Sequence, residues 1–464
     1  MLRMTPEKLN VLLGFLGKLP APLAARLAKA VEADRLSEHG ALPHDLILEG
    51  LRPMLRDAHS GRIPGPLRLF SRPFEDLLTN RPRTQKQKGR IARASIVPIW
   101  QWIAGKLLPQ SAGAFAAETR TLILTGRMNE AMERTALFWA EAAPAMRAAL
   151  ESEPERKAVR QLLGNDMILA DAGEMALVIS AGPQICALQD KLPLRLQAMT
   201  DEFLWMYRAL YDELAAAIPD AAPFVAVMAM NRLEKPWEAL RLPLMISRQT
   251  QDILISRTDM GLVGEILFAD IEEHAAAIRA ARAPAFDGAE LAHHVDRFAE
   301  LSNGLVKEVG VRRDGKWGQR LLSDRAAIAE VMEGFMERGV KEILAVLAMQ
   351  KGSFGRSARV PDVSRPVDPE KAARAINYAR LIVGCRSSAA AGSFAAAQKD
   401  AFDKVSGELK LYIEEIVREL RECDSERRAR VEQHFELAAS LTAILFSEQE
   451  ADLLHRRARA ALAA

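Results

Sequence analysis

Apolar residues recur every three or four positions along most of this chain, which is the spacing of one face of an α-helix. A clear example is the set Leu196, Met199, Phe203, Met206, Leu210, Leu214 and Ala217. Pro219 follows closely and lacks the backbone N–H that a continuing helix needs. The pattern therefore predicts a helix over 196–217 that ends before Pro219.

A second apolar stripe lies near the carboxyl end of the chain. It consists of Phe402, Val405, Leu409, Tyr412, Ile416, Leu420 and Cys423. The residues between these positions are mostly charged, so the stripe resembles a coiled-coil seam of about three heptads. It predicts a long helix that either packs inside its own domain, which is the simpler interpretation, or forms a homo-oligomer.

Strand signals are sparse. The runs "TLILT" (121–125) and "DILIS" (252–256) are as compatible with buried helix as with strand, and "LVKEVGVRRDGKWGQRL" (305–321) forms either a hairpin or, as we expect, a polar connection between helices. Ala, Leu, Arg and Glu dominate the composition and aromatic residues are only 6%. We predict an all-α, multi-helical fold with antiparallel helix packing and long C-terminal helices.

Two segments rich in Pro and Gly interrupt the helical pattern. Residues 59–73 should be largely irregular, and residues 350–372 should form a linker that ends in a helix-start signal at Asp368-Pro369-Glu370. The sequence therefore predicts three parts: an N-terminal helical module with a basic irregular segment (1–110), a central helical body (111–350) and C-terminal long helices (366–464).

The same sequence limits where the protein works. The first twenty residues do not resemble a signal peptide, and no apolar run reaches the 18 to 20 residues that a membrane span needs. The three cysteines, Cys186, Cys385 and Cys423, are far apart, odd in number and without a CxxC motif. Reduced thiols in a cytoplasmic protein are the simplest interpretation.

Positive charge is most concentrated at "RPRTQKQKGRIARAS" (81–95), which carries six Lys/Arg and no acid. Residues 62–117 contain ten Lys/Arg against two acids, a net charge of +8, whereas the whole chain carries +2 and the remainder therefore −6. Concentrated positive charge attracts anionic partners. The candidate anion- or partner-binding residues are Arg81, Arg83, Lys86, Lys88, Arg90 and Arg93.

Several partners fit such a segment. An acidic protein surface is our first expectation and nucleic acid the alternative, although Trp100 and Trp102 lie outside the basic run and are typical of a core helix. A membrane surface fits less well, because "SIVPIWQWIAGKLL" carries only Lys106 on its polar side. A solvated loop that binds nothing is the structural alternative.

The histidines allow a further hypothesis. Glu290 and His293 form a Glu-x-x-His pair, half of the pattern used by helical di-metal sites, and Asp270 with His274 would supply a second helix. The pattern occurs only once, and such residues are common on exposed helix faces. We assign no metal ligand and keep a metal-dependent helical enzyme as an alternative centred on Glu290, His293 and His274.

No other motif indicates catalysis or a cofactor. "KGSFGRS" (351–357) lacks the order of a phosphate-binding loop, and no GxSxG is present. Cys186 and Cys385 lie in apolar surroundings typical of buried thiols. The sequence therefore favours a non-enzymatic cytosolic interaction or regulatory protein that uses its basic loop.

Overall fold

The structure is a computed structural model of the 464-residue chain. It describes residues 14–16, 18–20, 23–24, 27–28, 30–31, 44, 47–48, 50–51, 65–80, 85–247, 261–282, 285–311, 314–351 and 359–463.

The predicted all-α, multi-helical fold is confirmed. The earlier helices are α1 (Pro66–Ser71), α2 (Ile96–Trp102), α3 (Pro109–Leu124), α4 (Met128–Glu151), α5 (Glu153–Leu163), α6 (Asp166–Ser180), α7 (Gly182–Gln189), α8 (Asp201–Ala217), α9 (Phe224–Arg232) and α10 (Arg241–Ser247). The later helices are α11 (Leu262–Ala280), α12 (Gly288–Glu308), α13 (Lys316–Val346), α14 (Pro369–Gly384), α15 (Ala395–Glu422), α16 (Ser425–Leu445) and α17 (Glu448–Ala463). Antiparallel packing of these helices stays a prediction. No helix within the described ranges is both long enough and apolar enough to cross a bilayer.

Short strands and tight turns complete the described elements. The strands are β1 (Leu78–Thr79), β2 (Ile91–Ala92), β3 (Met349–Lys351) and β4 (Arg359–Pro361). β1 pairs parallel with β2, and β3 pairs antiparallel with β4. The tighter or wider turns are the 3-10 segments Arg72–Leu77, Arg93–Ser95, Pro219–Ala221 and Pro236–Leu240 and the π-helical turn Ile103–Leu107.

The chain divides into two compact units. The first comprises Met1–Phe268 and Gly304–Arg312, and the second comprises Ala269–Asn303 and Arg313–Ala464. A small hydrophobic cluster near the amino end joins Leu16, Ala24, Ala28, Val31, Ile47 and Leu51. The three-part division expected from the sequence stays a prediction.

The segment expected to be irregular near residue 70 is instead helical. Pro66 opens α1, and Pro73 stands in the first turn of the 3-10 segment that follows, where a missing N–H costs little. Phe70 and Phe74 are both fully buried and pack edge to face, with ring centroids 6.0 Å apart. Burial of these two rings orders the backbone in spite of its prolines; residues 59–64 lie outside the described residues.

The helix predicted over 196–217 begins later than expected. Its first turn is capped by Thr200, whose Oγ1 accepts a hydrogen bond of 3.3 Å from the backbone N–H of Phe203. Leu196 forms an isolated parallel bridge with Leu233 instead. The predicted end is confirmed, because α8 stops at Ala217 and Pro219 opens a 3-10 turn.

The other strand candidates also resolve into helices and a connection. Residues 121–124 of "TLILT" belong to α3, whereas "DILIS" lies outside the described residues. The 305–321 segment contains the end of α12 and the start of α13, as expected for a connection between helices. Within the segment expected to be a linker, β3 and β4 form a short antiparallel pair around residues that are not described.

The second unit contains the C-terminal stripe. Val405, Leu409, Tyr412, Ile416 and Leu420 are buried, and α15 packs on α13, α16 and α17 of the same unit. The stripe therefore packs within its own unit, and self-association stays a prediction. The predicted helix start is confirmed at Asp368, whose Oδ1 accepts hydrogen bonds from the backbone N–H groups of Glu370 and Lys371 at 3.0 and 3.3 Å.

Candidate functional site

The candidate site is the basic segment, of which the structure describes residues 85–95. Arg81 and Arg83 lie outside the described residues. The described part contains a turn at Lys88-Gly89 and the strand β2, which pairs with β1 so that Leu78 lies opposite Ile91 and Thr79 opposite Ala92. The segment is thus tied to the body of the first unit at its carboxyl end.

A pair of buried carboxylates on α6 holds this turn in place. Asp171 and Glu174 are three positions apart, so they share one face of the helix. Lys86 Nζ lies 2.6 Å from Asp171 Oδ1 and 2.8 Å from Glu174 Oε2. The ammonium also donates to the Arg90 carbonyl oxygen at 2.7 Å, so its three N–H groups have three acceptors.

The same segment also donates to the other oxygens of both carboxylates. The Gly89 backbone N–H donates to both oxygens of Glu174 at 3.2 Å. The Ala92 backbone N–H and the Ser95 hydroxyl donate to Asp171 Oδ2 at 3.1 and 2.6 Å. Residues 86–95 therefore form a fixed arch over α6 rather than a loosely solvated loop.

The buried carboxylates of Asp171 and Glu174 need the positive charge of Lys86. Burial raises the pKa of Glu174 above its ordinary value, while Lys86 and the Gly89 N–H oppose that rise. Asp171 is 2% exposed and Glu174 is 9% exposed, so neither charge is hydrated fully. A buried carboxylate pair without a cation would be strongly unfavourable. The chemical role of Lys86 is charge compensation.

The candidate cations consequently differ in availability. Lys86 is the least available, because its ammonium is bound to Asp171 and Glu174 inside the fold. Arg93 is half exposed and shared, with Nη2 3.2 Å from Glu75 Oε1 and Nε donating to Asn80 Oδ1 at 3.1 Å. Arg90 is partly buried and donates from Nη1 to Gln87 Oε1 at 3.3 Å. Lys88 is exposed, and it has no ion-pair partner within the described part of the chain.

The conformation of the turn requires glycine at position 89. Gly89 has φ +83°, and a Cβ there would lie 3.1 Å from Ile266 Cδ1 and 3.2 Å from Val227 Cγ2. Gly126 has a similar φ of +76° but open space around it. A substitution at Gly126 therefore tests backbone strain alone, whereas one at Gly89 tests strain together with steric crowding.

We expect G89A to lower the free energy of unfolding by about 2–4 kcal/mol, since left-handed strain and overpacking add. The control G126A should cost only about 1 kcal/mol, from strain alone. Urea unfolding followed by tryptophan fluorescence measures both, because five of the six tryptophans belong to the first unit. Equal losses in the two variants would contradict the tight packing of the arch.

His274, one of the candidate metal ligands, contacts His294 in the structure. His274 Nδ1 and His294 Nδ1 are 2.9 Å apart, so one ring donates a hydrogen bond to the other. Burial, followed by the charges of His294 and Arg297, lowers the pKa of His293. No group of three or more His, Cys, Asp or Glu side chains among the described residues could hold a metal ion. The geometry gives no support to the metal-dependent alternative built on Glu290, His293 and His274.

The two cysteines in apolar stretches are buried, as their surroundings in the sequence indicated. Burial raises the pKa of the Cys186 thiol to about 12 and also raises the pKa of Cys385. Because the thiolate is the reactive form, neither side chain is suited to nucleophilic chemistry near neutral pH.

Sequence reasoning missed Asp171 and Glu174. Both stand in "MILADAGEMALVIS", a helix that is otherwise almost entirely apolar. Carboxylates in such a helix need a cation or several donors once they are buried. Two acidic residues in an apolar helix were the signal that a cation lies nearby. The sequence could not show which of the 63 Lys/Arg pairs with them.

Comparison with known proteins identifies no relative: no protein-family model, curated protein or solved structure matches this chain. The function is therefore inferred from the geometry of the chain itself.

Proposed function

We propose that this protein is a non-enzymatic, helical interaction or regulatory protein that binds an acidic partner through its basic segment. The observation that carries the proposal is the exposed Lys88 on an arch fixed by buried carboxylates. Lys88 has no ion pair among the described residues, whereas Lys86, two residues earlier, is fully engaged.

The arrangement supports binding in a specific way. A cation on a disordered loop loses conformational freedom when it binds, and this loss weakens the complex. The hydrogen bonds from Gly89, Ala92 and Ser95 to α6 order the arch before any partner arrives. Lys88 and Arg90 are therefore presented on a preorganised backbone.

The local charge also favours an acidic partner. The 62–117 region keeps an excess of cations in the sequence, and the ion pairs of Lys86 with α6 and of Arg72 with Asp190 offset only part of it. Long-range attraction of this kind accelerates encounter and weakens as salt screens it. An acidic peptide is the simplest partner with this chemistry.

Binding of a fluorescent poly-glutamate peptide of about twenty residues tests the proposal, with salt varied from about 25 to 300 mM. We expect K88E/R90E to weaken binding roughly tenfold at low salt, because two attractive charges become repulsive. The control R156E/K157E changes the net charge equally on the exposed face of α5 and should bind like the wild-type protein.

Two outcomes would contradict the proposal: no binding at the lowest salt, or equal losses in both double variants. Single-stranded and duplex DNA of about twenty nucleotides serve as competing probes. Tighter binding of DNA than of the peptide, with a steep dependence on log salt, would instead favour the nucleic-acid-binding alternative.

A further inference from the structure

A cavity of about 500 Å³ lies in the second unit, between residues 279–282 and one face of α13. Its volume falls within the range of small-molecule pockets. Three arginines line it, Arg279, Arg282 and Arg338, with Glu330 as the only acidic lining residue. The rest of the lining is mainly small or apolar. None of these residues belongs to the basic segment.

Arg279 is held in position by carboxylates of its own unit. It forms an ion pair with Glu272, and its Nη1 lies 3.6 Å from Asp324 Oδ1. Its charge is therefore compensated. The pair fixes the guanidinium at the wall of the cavity without adding a free positive charge.

Arg282 is held by hydrogen bonds to neutral groups, so its positive charge is not compensated by them. Its Nη1 donates to the carbonyl oxygen of Ala281 at 2.8 Å and to that of Arg279, which caps the end of α11. Both acceptors are neutral carbonyl groups. Among the described residues no carboxylate pairs with Arg282. The other N–H groups of this guanidinium remain available to a ligand.

Arg338 supplies the second uncompensated cation. Its guanidinium carbon lies 5.9 Å from the ring centroid of Phe335, which is almost completely buried. No carboxylate within the described ranges pairs with it. Glu330 precedes it by eight residues on α13, a separation of about 12 Å along the axis, so it does not neutralise Arg338 directly.

We propose that this cavity binds a small molecule bearing a carboxylate or phosphate group, whose oxygens bridge Arg282 and Arg338. A guanidinium presents paired N–H groups that match such oxyanions in a two-point contact. The apolar part of the lining accommodates the carbon skeleton of the ligand. The ion pairs with Glu272 and Asp324 hold Arg279, the other arginine of the lining, in place.

Calorimetric titration with sodium phosphate and, separately, with succinate tests this site at constant ionic strength. The wild-type protein should bind at least one probe saturably. R338Q and R282Q should each weaken binding about five- to tenfold, because each removes one charge-assisted contact. R338K should also weaken it, since a lysine keeps the charge but loses the planar fork. The control R456Q removes an exposed arginine of α17 and should leave binding unchanged.

Phosphate or succinate alone binding saturably supports the site and identifies its preferred oxyanion. Absence of saturable binding by either probe overturns the proposal. So does an affinity that R338Q and R282Q leave intact, or that R456Q lowers equally. If R282Q unfolds the end of α11, R338Q and R338K decide the question, because Arg338 contacts the Phe335 ring without capping a helix.

Discussion

Replacing Lys86 with methionine is expected to lower the free energy of unfolding by about 3 kcal/mol. The substitution keeps an unbranched side chain only one atom shorter but leaves Asp171 and Glu174 without their cation, and their side chains are only 2% and 11% exposed. The remaining N–H and O–H donors of the arch cannot replace a full positive charge. Urea unfolding followed by tryptophan fluorescence measures this loss.

The neighbouring lysine offers a matched control. K88M alters the same turn, but Lys88 is exposed, so we expect a change within about 0.5 kcal/mol. The double variant K86M/E174Q should recover part of the stability lost in K86M, because one of the two uncompensated carboxylates is gone. If K86M is as stable as K88M, the ion-paired arch does not contribute as the structure indicates.

The stability lost in K86M should depend on pH in a definite direction. Burial raises the pKa of Glu174 in the folded state, so its contribution to stability is complete below the unfolded pKa and is lost as pH rises through the folded pKa. Removing Lys86 removes the main cause that opposes this rise. The stability difference between wild-type protein and K86M should therefore be smaller near about pH 5 than near about pH 8.

Replacing Arg232 with methionine should destabilise the first unit by about 3–5 kcal/mol, because the buried Asp76 then loses its counter-charge. Arg232 Nε lies 2.9 Å from Asp76 Oδ2, and both side chains are 5% exposed. Gln189 donates to the same oxygen at 3.0 Å. In the variant this neutral donor would remain, but it cannot replace the positive charge that Asp76 has lost. The free energy of urea unfolding is again the measurement.

An exposed ion pair in the same unit serves as a control, because it shows what the loss of an arginine costs when the pair is not buried. Arg195 Nε lies 3.6 Å from Glu234 Oε1, with side chains 63% and 46% exposed. R195M should therefore cost less than about 1 kcal/mol. R232M/D76N should be more stable than R232M alone. Similar losses for R232M and R195M would show that burial does not amplify the Arg232 pair.

Local signals in the sequence predicted local structure well. Asp368, Pro369 and Glu370 predicted a helix start, because an Asp side chain accepts from first-turn N–H groups and a proline there needs no partner. The end of α8 before Pro219 followed from the same kind of argument. These features depend on residues a few positions apart, which a sequence displays directly.

Contacts between residues far apart in the sequence determined the backbone conformation that local signals predicted wrongly. The sequence predicted an irregular backbone over 59–73, and the described part of this segment, residues 65–73, contains Pro66 and Pro73. Burial of Phe70 and Phe74 in the core of the first unit orders residues 66–77 as helix and 3-10 turn instead. Tertiary packing outweighed a local propensity, as commonly happens when large rings become buried.

Periodicity and composition were enough to predict that helices dominate this protein, and the run of basic residues near 81–93 was enough to locate its concentrated positive charge. Which of those charges face outward depends on contacts that form only on folding. Lys86 and Lys88 are two positions apart in the same run, yet one is bound to carboxylates 85 and 88 residues away and the other is exposed. The physical reason is that the state of a charge depends on the groups within a few ångströms of it, and folding alone brings those groups together.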